Sequence, residues 1–319
     1  MAGTLADIDL LIVSLGPDAY LAGHYTFTHS LIGTIVAIGI AVLFVRLLPS
    51  GSGPPGTLRL RSGQEAALTC PGLGTIVLAT SRAAIVHVLV DLATSSGVGL
   101  LWPFRITRFA WDYLPFLDPW VLAMLVAGIA LPQLFALVSS EIGAKEKAPR
   151  GRNGALVALA LVVFYGGARA LLHGYAVSQL DAHSYRGESP RHAAAFPDTL
   201  SLVTWRSVVE TASQICTADV PTAGTRFDPQ SAACLHKPEE SAALTVAQKT
   251  GAAQAFLRAA RFPKASVGIT ADGSEIVLRD MRDTAQNETL NALAARVLLD
   301  RKRQVTIQSV VWARQAGLR

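Results

Sequence analysis

Four stretches of this chain are almost uninterrupted apolar sequence: residues 30–48, 72–92, 120–139 and 154–172. A membrane-spanning helix needs about 20 predominantly apolar residues, and each stretch comes to that length. Polar interruptions are few. Arg46 lies near enough to the end of the first stretch to snorkel, the second carries Arg82, His87 and Asp91, Pro132 interrupts the third, and Arg169 and His173 stand at the exit of the fourth. Residues 49–63, rich in Gly, Pro and Ser, read as a flexible loop. Beyond residue 180 the pattern shortens. Residues 242–262 read as a helix stopped by Pro263, and 267–270 with 275–278 as a hairpin around Asp272-Gly273. Residues 291–299 read as a helix and 305–311 as a strand. The expected fold is a membrane α-helical bundle of about four transmembrane helices (1–180) followed by a small soluble α+β domain (181–319). At 139 residues the second part is long enough for its own core.

Composition supports the division. Hydrophobic residues make up 51% of the chain and charged ones 16%, against roughly 25% charged in average soluble chains. Residues 1–180 hold 11 Lys/Arg and 9 Asp/Glu, and 181–319 hold 17 and 14. The net charge of +5 is spread without a basic block, which excludes nucleic acid as an expected partner. The first 25 residues contain Asp7, Asp9 and Asp18 and no basic segment, so insertion is expected through the first spanning helix rather than a cleavable signal. Cationic residues in short loops set orientation. Arg59 and Arg61 after the first helix, and Lys145, Lys147, Arg150 and Arg152 after the third, belong inside. The N-terminus, the loop with Arg105 and Arg108, and the C-terminal domain then face outward. A multi-pass protein of a bacterial inner membrane with a periplasmic C-terminal domain is the expectation. Cys70 lies close to an apolar stretch; Cys216 and Cys234 either pair in an oxidising compartment or stand as separate thiols.

Candidate chemistry enters with the polar residues of the second stretch. An ionisable residue inside a span costs about 2.5–3.5 kcal/mol on insertion scales and is a functional candidate. "HVLVD" sets His87 and Asp91 one helical turn apart on one face, a spacing that can chelate a divalent cation. "HYTFTHS" (24–30) puts His24 and His29 at the mouth of the first helix. Antiparallel neighbours bring that mouth and the end of the second helix to one membrane face, where Asp7 and Asp9 precede and Asp112 and Asp118 follow. Each residue also has a plainer reading. A His–Asp pair can be a histidine held by a carboxylate, Thr28 or Ser30 a helix cap, Asp112 a loop residue, and Asp118 before Pro119 a helix start. Their convergence favours the site.

At these residues the chain resembles the YdjM family, also described as YbcI-type membrane-bound metal-dependent hydrolases. The family shows Pro-Asp-Ile-Asp, His-Arg-Gly-x-Thr-His-Ser, and His-x3-Asp-x2-Thr-x2-Gly-Val-x-Leu-Leu-Trp-Pro. The counterparts here are ADID (6–9), HYTFTHS (24–30) and HVLVDLATSSGVGLLWP (87–103). The match is firm over about residues 6–120. Beyond 180 it rests on "AFPDTLSLVTWRSVVE", "RFP" and "DMR". The Arg-Gly of the first histidine motif is Tyr25-Thr26 here. Members begin with a further helix carrying a histidine upstream of Asp-Ile-Asp, whereas this chain reaches Asp7 soon after Met1.

The resemblance implies a metal-dependent hydrolase. A His and carboxylate set without Cys favours zinc, with manganese or iron as alternatives. The expected ligands are His24, His29, His87 and Asp91, with Asp9 and Asp7 as a fifth ligand or as partners that orient a histidine. Asp112 or Asp118 is the expected general base. A site at the bilayer surface implies membrane lipids around it and a small-molecule or lipid-borne substrate, such as a phosphoester or lipid headgroup. The alternative is a non-catalytic membrane protein whose His/Asp cluster locks helices and whose tail binds a partner. A cation-coupled transporter is a third reading, disfavoured by four helices without an inverted repeat. Trp102, Trp111 and Trp120 suit an interfacial aromatic belt.

Overall fold

The protein was analysed as a computed structural model, which describes residues 6–24, 26–47, 57–59, 65–67, 73–105, 107–141, 150–286 and 292–313. The chain divides into two compact units, Met1–Leu92 with Ser96–Ala110, and Ala93–Ser95 with Trp111–Arg319.

The first unit opens with a 3-10 helix, Ala6–Leu15, followed by the short helix α1 (Pro17–Gly23). Helix α2 (Leu31–Leu47) comes next, then an antiparallel pair β1 (Thr57–Arg59) and β2 (Glu65–Ala67), and then helix α3 (Leu73–Ala93). In α2 only Gly33 and Ala41 are buried. Ile35, Val36, Ile40, Leu43 and Phe44 are exposed, so α2 presents a largely apolar surface. The small core of this unit joins Val88 and Leu92 of α3 to Val98, Leu100 and Phe109. Residues 96–110 fold back through a Val98–Phe109 bridge, and Leu31 N–H donates to Leu100 O at 3.0 Å, fixing this loop to the start of α2.

The second unit holds helices α4 (Pro119–Glu141) and α5 (Arg150–Asp181). They approach closely at small residues: a Cβ built on Gly128 would lie 2.4 Å from Ala158 Cβ, and one on Gly154 2.4 Å from Gly128 O. Glycine at both positions permits that contact, as is common where helices pack in lipid. Two antiparallel four-stranded sheets follow. The first runs in the order β3 (His192–Pro197), β4 (Thr204–Glu210), β5 (Gln214–Pro221), β6 (Ala233–His236). Helices α6 (Ala242–Gln248) and α7 (Gly251–Ala259) precede the second sheet. That sheet comprises β7 (Pro263–Thr270), β8 (Gly273–Asp280), β9 (Leu293–Asp300) and β10 (Val305–Trp312) in the order β10-β9-β8-β7, with helix α8 (Met281–Ala285) following β8. Strands β3–β5 of the first sheet contribute to cores on both faces. Trp205, Val209, Cys216 and Val220 pack on Ala176 and Leu180 of α5, while Phe196, Val208 and Ile215 pack on Phe262 and Met281.

Among the described residues two helices, Leu73–Ala93 and Gly151–Asp181, are long and apolar enough to cross a membrane, and Leu31–Leu47 and Pro119–Phe135 are shorter apolar helices. A helical N-terminal region followed by an antiparallel sheet region is thus present. The β7–β8 hairpin and strand β10 match expectation. Three elements differ. Residues 242–262 form two helices because Thr250 accepts from Ala253 N–H and caps a new start at Gly251. Of residues 291–299, Leu293 onward is strand, not helix: β9 pairs with both β8 and β10 along its length, and this pairing overrides the helix propensity of its alanines and leucines. Helix α5 continues to Asp181, so Arg169 is not at an exit. It is 2% exposed, donates to Tyr113 O, Ser201 O and Leu202 O, and lies 4.4 Å over the Trp205 ring. Strands β3–β6 carried no expectation. Burial of β3–β5 on both faces leaves little alternation to read there, and β6 is four mostly exposed residues.

Cys216 and Cys234 form a disulfide and sit opposite one another in the β5–β6 register. "RFP" and "DMR" meet: Asp280 accepts from the backbone N–H of Arg261, Phe262 and Arg282. His183 and His192 pack on Phe227 and Phe262, and His173 on Trp205. Cys70, Arg61, Lys145, Lys147 and most of the 49–63 loop lie outside the described residues.

Candidate metal centre

Three chain segments of the first unit deliver the site. The 3-10 helix brings Asp7 and Asp9, the turn before α2 brings His24, Thr28 and His29, and the last turns of α3 bring His87 and Asp91. Asp7, His29 and His87 each offer a ligand atom, all within 4.8 Å of one another, an arrangement that could hold a metal ion. Asp91 joins them. Its Oδ2 lies 3.4 Å from His29 Nε2 and 3.2 Å from His87 Nε2, while Asp7 Oδ1 lies 3.8 and 3.5 Å from the same two nitrogens. A tetrahedral ion with bonds of about 2.1 Å sets its ligand atoms about 3.4 Å apart. The four distances bracket that value. His87 Nε2 is also buried with no hydrogen-bond partner among the described residues, a cost of about 1–3 kcal/mol unless an ion or donor satisfies it. The donor set therefore fits a divalent ion bound by nitrogen and oxygen.

Asp9 lies behind this set, buried, and organises it. His24 Nδ1 stands 3.0 Å from Oδ1, Thr28 Oγ1 donates to Oδ2 at 2.7 Å, and His29 Nδ1 lies 3.3 Å from Oδ2. Burial by itself raises a carboxyl pKa, but here the hydrogen bonds from His24, His29 and Thr28 outweigh it and hold Asp9 well below the carboxylate range. With Asp9 accepting from Nδ1–H, His29 turns its Nε2 lone pair toward the other ligands, the carboxylate–histidine arrangement common at metal sites. His24, expected as a direct ligand, is placed one layer back: it stacks on Tyr20 and reaches the centre through Asp9.

Local structure holds these residues still. Ser30 Oγ accepts from Gly33 N–H at 3.0 Å and donates to Phe27 O at 2.7 Å, capping α2. A Cβ on Gly33 would fall 1.8 Å from Phe27 O, so only glycine lets the turn carrying His29 close on the helix. Arg108 donates to His24 O at 3.1 Å and Leu21 O at 3.3 Å. Thr28 and Arg108 were not legible as site residues. Thr28 matched a helix cap equally well, and Arg108 lies 84 residues from the carbonyl it holds.

Asp112 and Asp118 belong to the second unit, each with partners there. Asp112 is buried and receives both guanidinium nitrogens of Arg261, at 2.7 and 2.8 Å. Asp118 Oδ1 accepts from Trp120 and Val121 N–H at the start of α4, and Oδ2 accepts from Tyr165.

A family model described as YdjM inner membrane protein matches residues 1–176, the stretch that contains every residue of the centre. No curated protein and no solved structure matches the chain significantly.

Proposed function

Since the chain belongs to the YdjM inner membrane protein family, we propose that it is a membrane-embedded, metal-dependent hydrolase with its centre at the outer face of the membrane. The observation that carries this reading is the set of four ligand-atom distances, 3.2–3.8 Å, among His29, His87, Asp7 and Asp91. In it, α2, α3, α4 and α5 all cross the membrane, α2 and Pro119–Phe135 as its shorter spans. The C-terminal sheets then lie outside, a placement supported by the loop cations and by a disulfide suited to an oxidising compartment.

His29, His87 and Asp91 hold the ion, zinc in the first instance, with manganese or iron as alternatives. A bound divalent ion supplies Lewis acidity and a lowered water pKa. Asp7 is the accessible donor, its side chain 44% exposed against 0% for His29, 19% for His87 and 16% for Asp91. It is therefore the group that meets incoming water and takes its proton. In this reading Asp7 takes the base role expected of Asp112 or Asp118, whose carboxylates hold Arg261 and the start of α4. Asp9 and His24 are positioning residues.

Four protein donors also favour a second reading, since closed four-ligand sets are typical of structural zinc. Metal content by mass spectrometry on the full chain in detergent, beside His87→Ala and Asp91→Ala, tests the centre. About one equivalent of transition metal, lost in both variants, is expected. A folded wild type that is metal-free and refuses Zn²⁺ and Mn²⁺ would overturn it. Hydrolysis of an ester panel, abolished by His87→Ala, separates the enzyme from the structural reading.

A further inference from the structure

Helix α5 buries a full charge where it meets the first sheet. Arg169 is 2% exposed, and Trp205, whose ring lies 4.4 Å from its guanidinium, is 0% exposed. A guanidinium carries five N–H donors. Nε donates to Tyr113 O, and Nη1 to Ser201 O and Leu202 O. Nη2 is buried with no hydrogen-bond partner among the described residues, and so is the indole Nε1 of Trp205. His173 follows Arg169 by one turn of α5, its ring centroid 5.3 Å from that of Trp205. It hydrogen-bonds the backbone of Ala195 and leaves a third buried nitrogen, Nε2, without a partner.

Charge decides what these donors are for. Burying an ion costs several kcal/mol unless an opposite charge accompanies it, and carbonyl oxygens and an indole face return only part of that. The carboxylates that act on Arg169 are Asp118 and Asp198, and both are committed elsewhere. Asp118 accepts from Tyr165 and from the N–H groups of Trp120 and Val121. Asp198 accepts from the N–H groups of Leu200 and Ser201 and from Arg206. Two unused donors around an uncompensated cation suit an anion. A water would accept the same hydrogen bonds but would leave the charge as it is.

We propose that Arg169 Nη2 and Trp205 Nε1 bind a buried monovalent anion, chloride, which clamps α5 to β4 and to the 198–203 loop. One positive charge sets the valence. Burial sets the size, because a monatomic ion takes little more room than a water, whereas a phosphate or carboxylate brings further oxygens that must each be hydrogen-bonded. Every residue of this site lies in the second unit, so the inference is independent of the His/Asp centre and of the hydrolase reading.

The test uses the full chain in detergent, in a gluconate buffer titrated with radiolabelled chloride by equilibrium dialysis. About one chloride per chain is expected. Calorimetry should place the transition of the sheet region about 2–4 °C higher in chloride than in gluconate, the shift given by a ligand at several times its Kd. Trp205→Phe keeps an aromatic ring and removes one N–H, and should weaken binding about 10–100-fold, the worth of a hydrogen bond to a charged group. Crystals soaked in bromide give the position whether or not that variant folds, with an anomalous peak expected within hydrogen-bond reach of Nη2 and Nε1. Binding that saturates only at molar salt, an adventitious ion only, overturns the proposal. So do unchanged affinity in a folded Trp205→Phe, a bromide peak elsewhere, and equal midpoints in the two anions with a water at this position.

Discussion

Asp9 collects three donors, from His24, Thr28 and His29, yet lies outside the group of Asp7, His29 and His87 that could hold an ion. Its effect on an ion is therefore indirect, through the orientation and basicity of His29. Asp9→Ala is expected to weaken metal affinity about 10–100-fold without abolishing binding, measured by competition with a chromophoric chelator; unchanged affinity would rule out the positioning role. Asp112 is engaged by a cation in the second unit. Its bidentate pair with Arg261 is mostly buried on the Asp112 side, and removing one partner of such a pair leaves the other uncompensated. Asp112→Ala should cost about 3 kcal/mol in denaturant unfolding while metal stoichiometry stays unchanged. Loss of metal with stability preserved would restore Asp112 to the site.

At the scale of elements, the start of α2 is where fold and site depend on the same bonds. Ser30→Ala removes the cap and should cost about 1 kcal/mol. Because His29 is the residue before it, chelator competition should also show weaker metal binding. A stability loss with wild-type affinity would show that the cap and the ligand are independent. In the sheet region, Glu188 accepts from Ser213 N–H and Oγ at 2.9 and 2.6 Å and ties its turn to the β4–β5 connection. Hydrogen bonds from the Ser213 and Thr211 side chains pull its pKa from 4.5 to about 2. A depressed folded-state pKa contributes stability above the unfolded value that is lost as pH falls through the folded one. The contribution is therefore complete above 4.5 and gone below about 2. Glu188→Gln should lower stability at neutral pH, converge on wild type below about 2 and so flatten the acid limb between those limits, followed by near-UV circular dichroism; an acid limb identical to wild type would sink the idea.

For the whole molecule, the disulfide closes a loop with a sequence separation of 18, and cross-links over loops of that size contribute about 3 kcal/mol. The Cys216→Ser, Cys234→Ser double variant should lower the thermal midpoint of the sheet region by a corresponding amount, seen by calorimetry in detergent. Equal midpoints would show that the β5–β6 pairing holds without the bond.

The sequence alone determined the features that depend on local composition and short spacing. The apolar stretches that form helices, the His87–Asp91 pair one turn apart and the Asp272-Gly273 hairpin were readable, because each is encoded within a few residues or by helix periodicity. The tertiary structure decided what depends on distant partners. It set Asp7 beside His29 and His87 and placed His24 against Asp9, since side-chain direction in an irregular turn follows from caps and packing rather than spacing. It engaged Asp112 with Arg261, 149 residues away. It made residues 293–300 a strand despite their helix-forming alanines, because two neighbouring strands satisfy backbone groups that a solitary segment would have paired within itself.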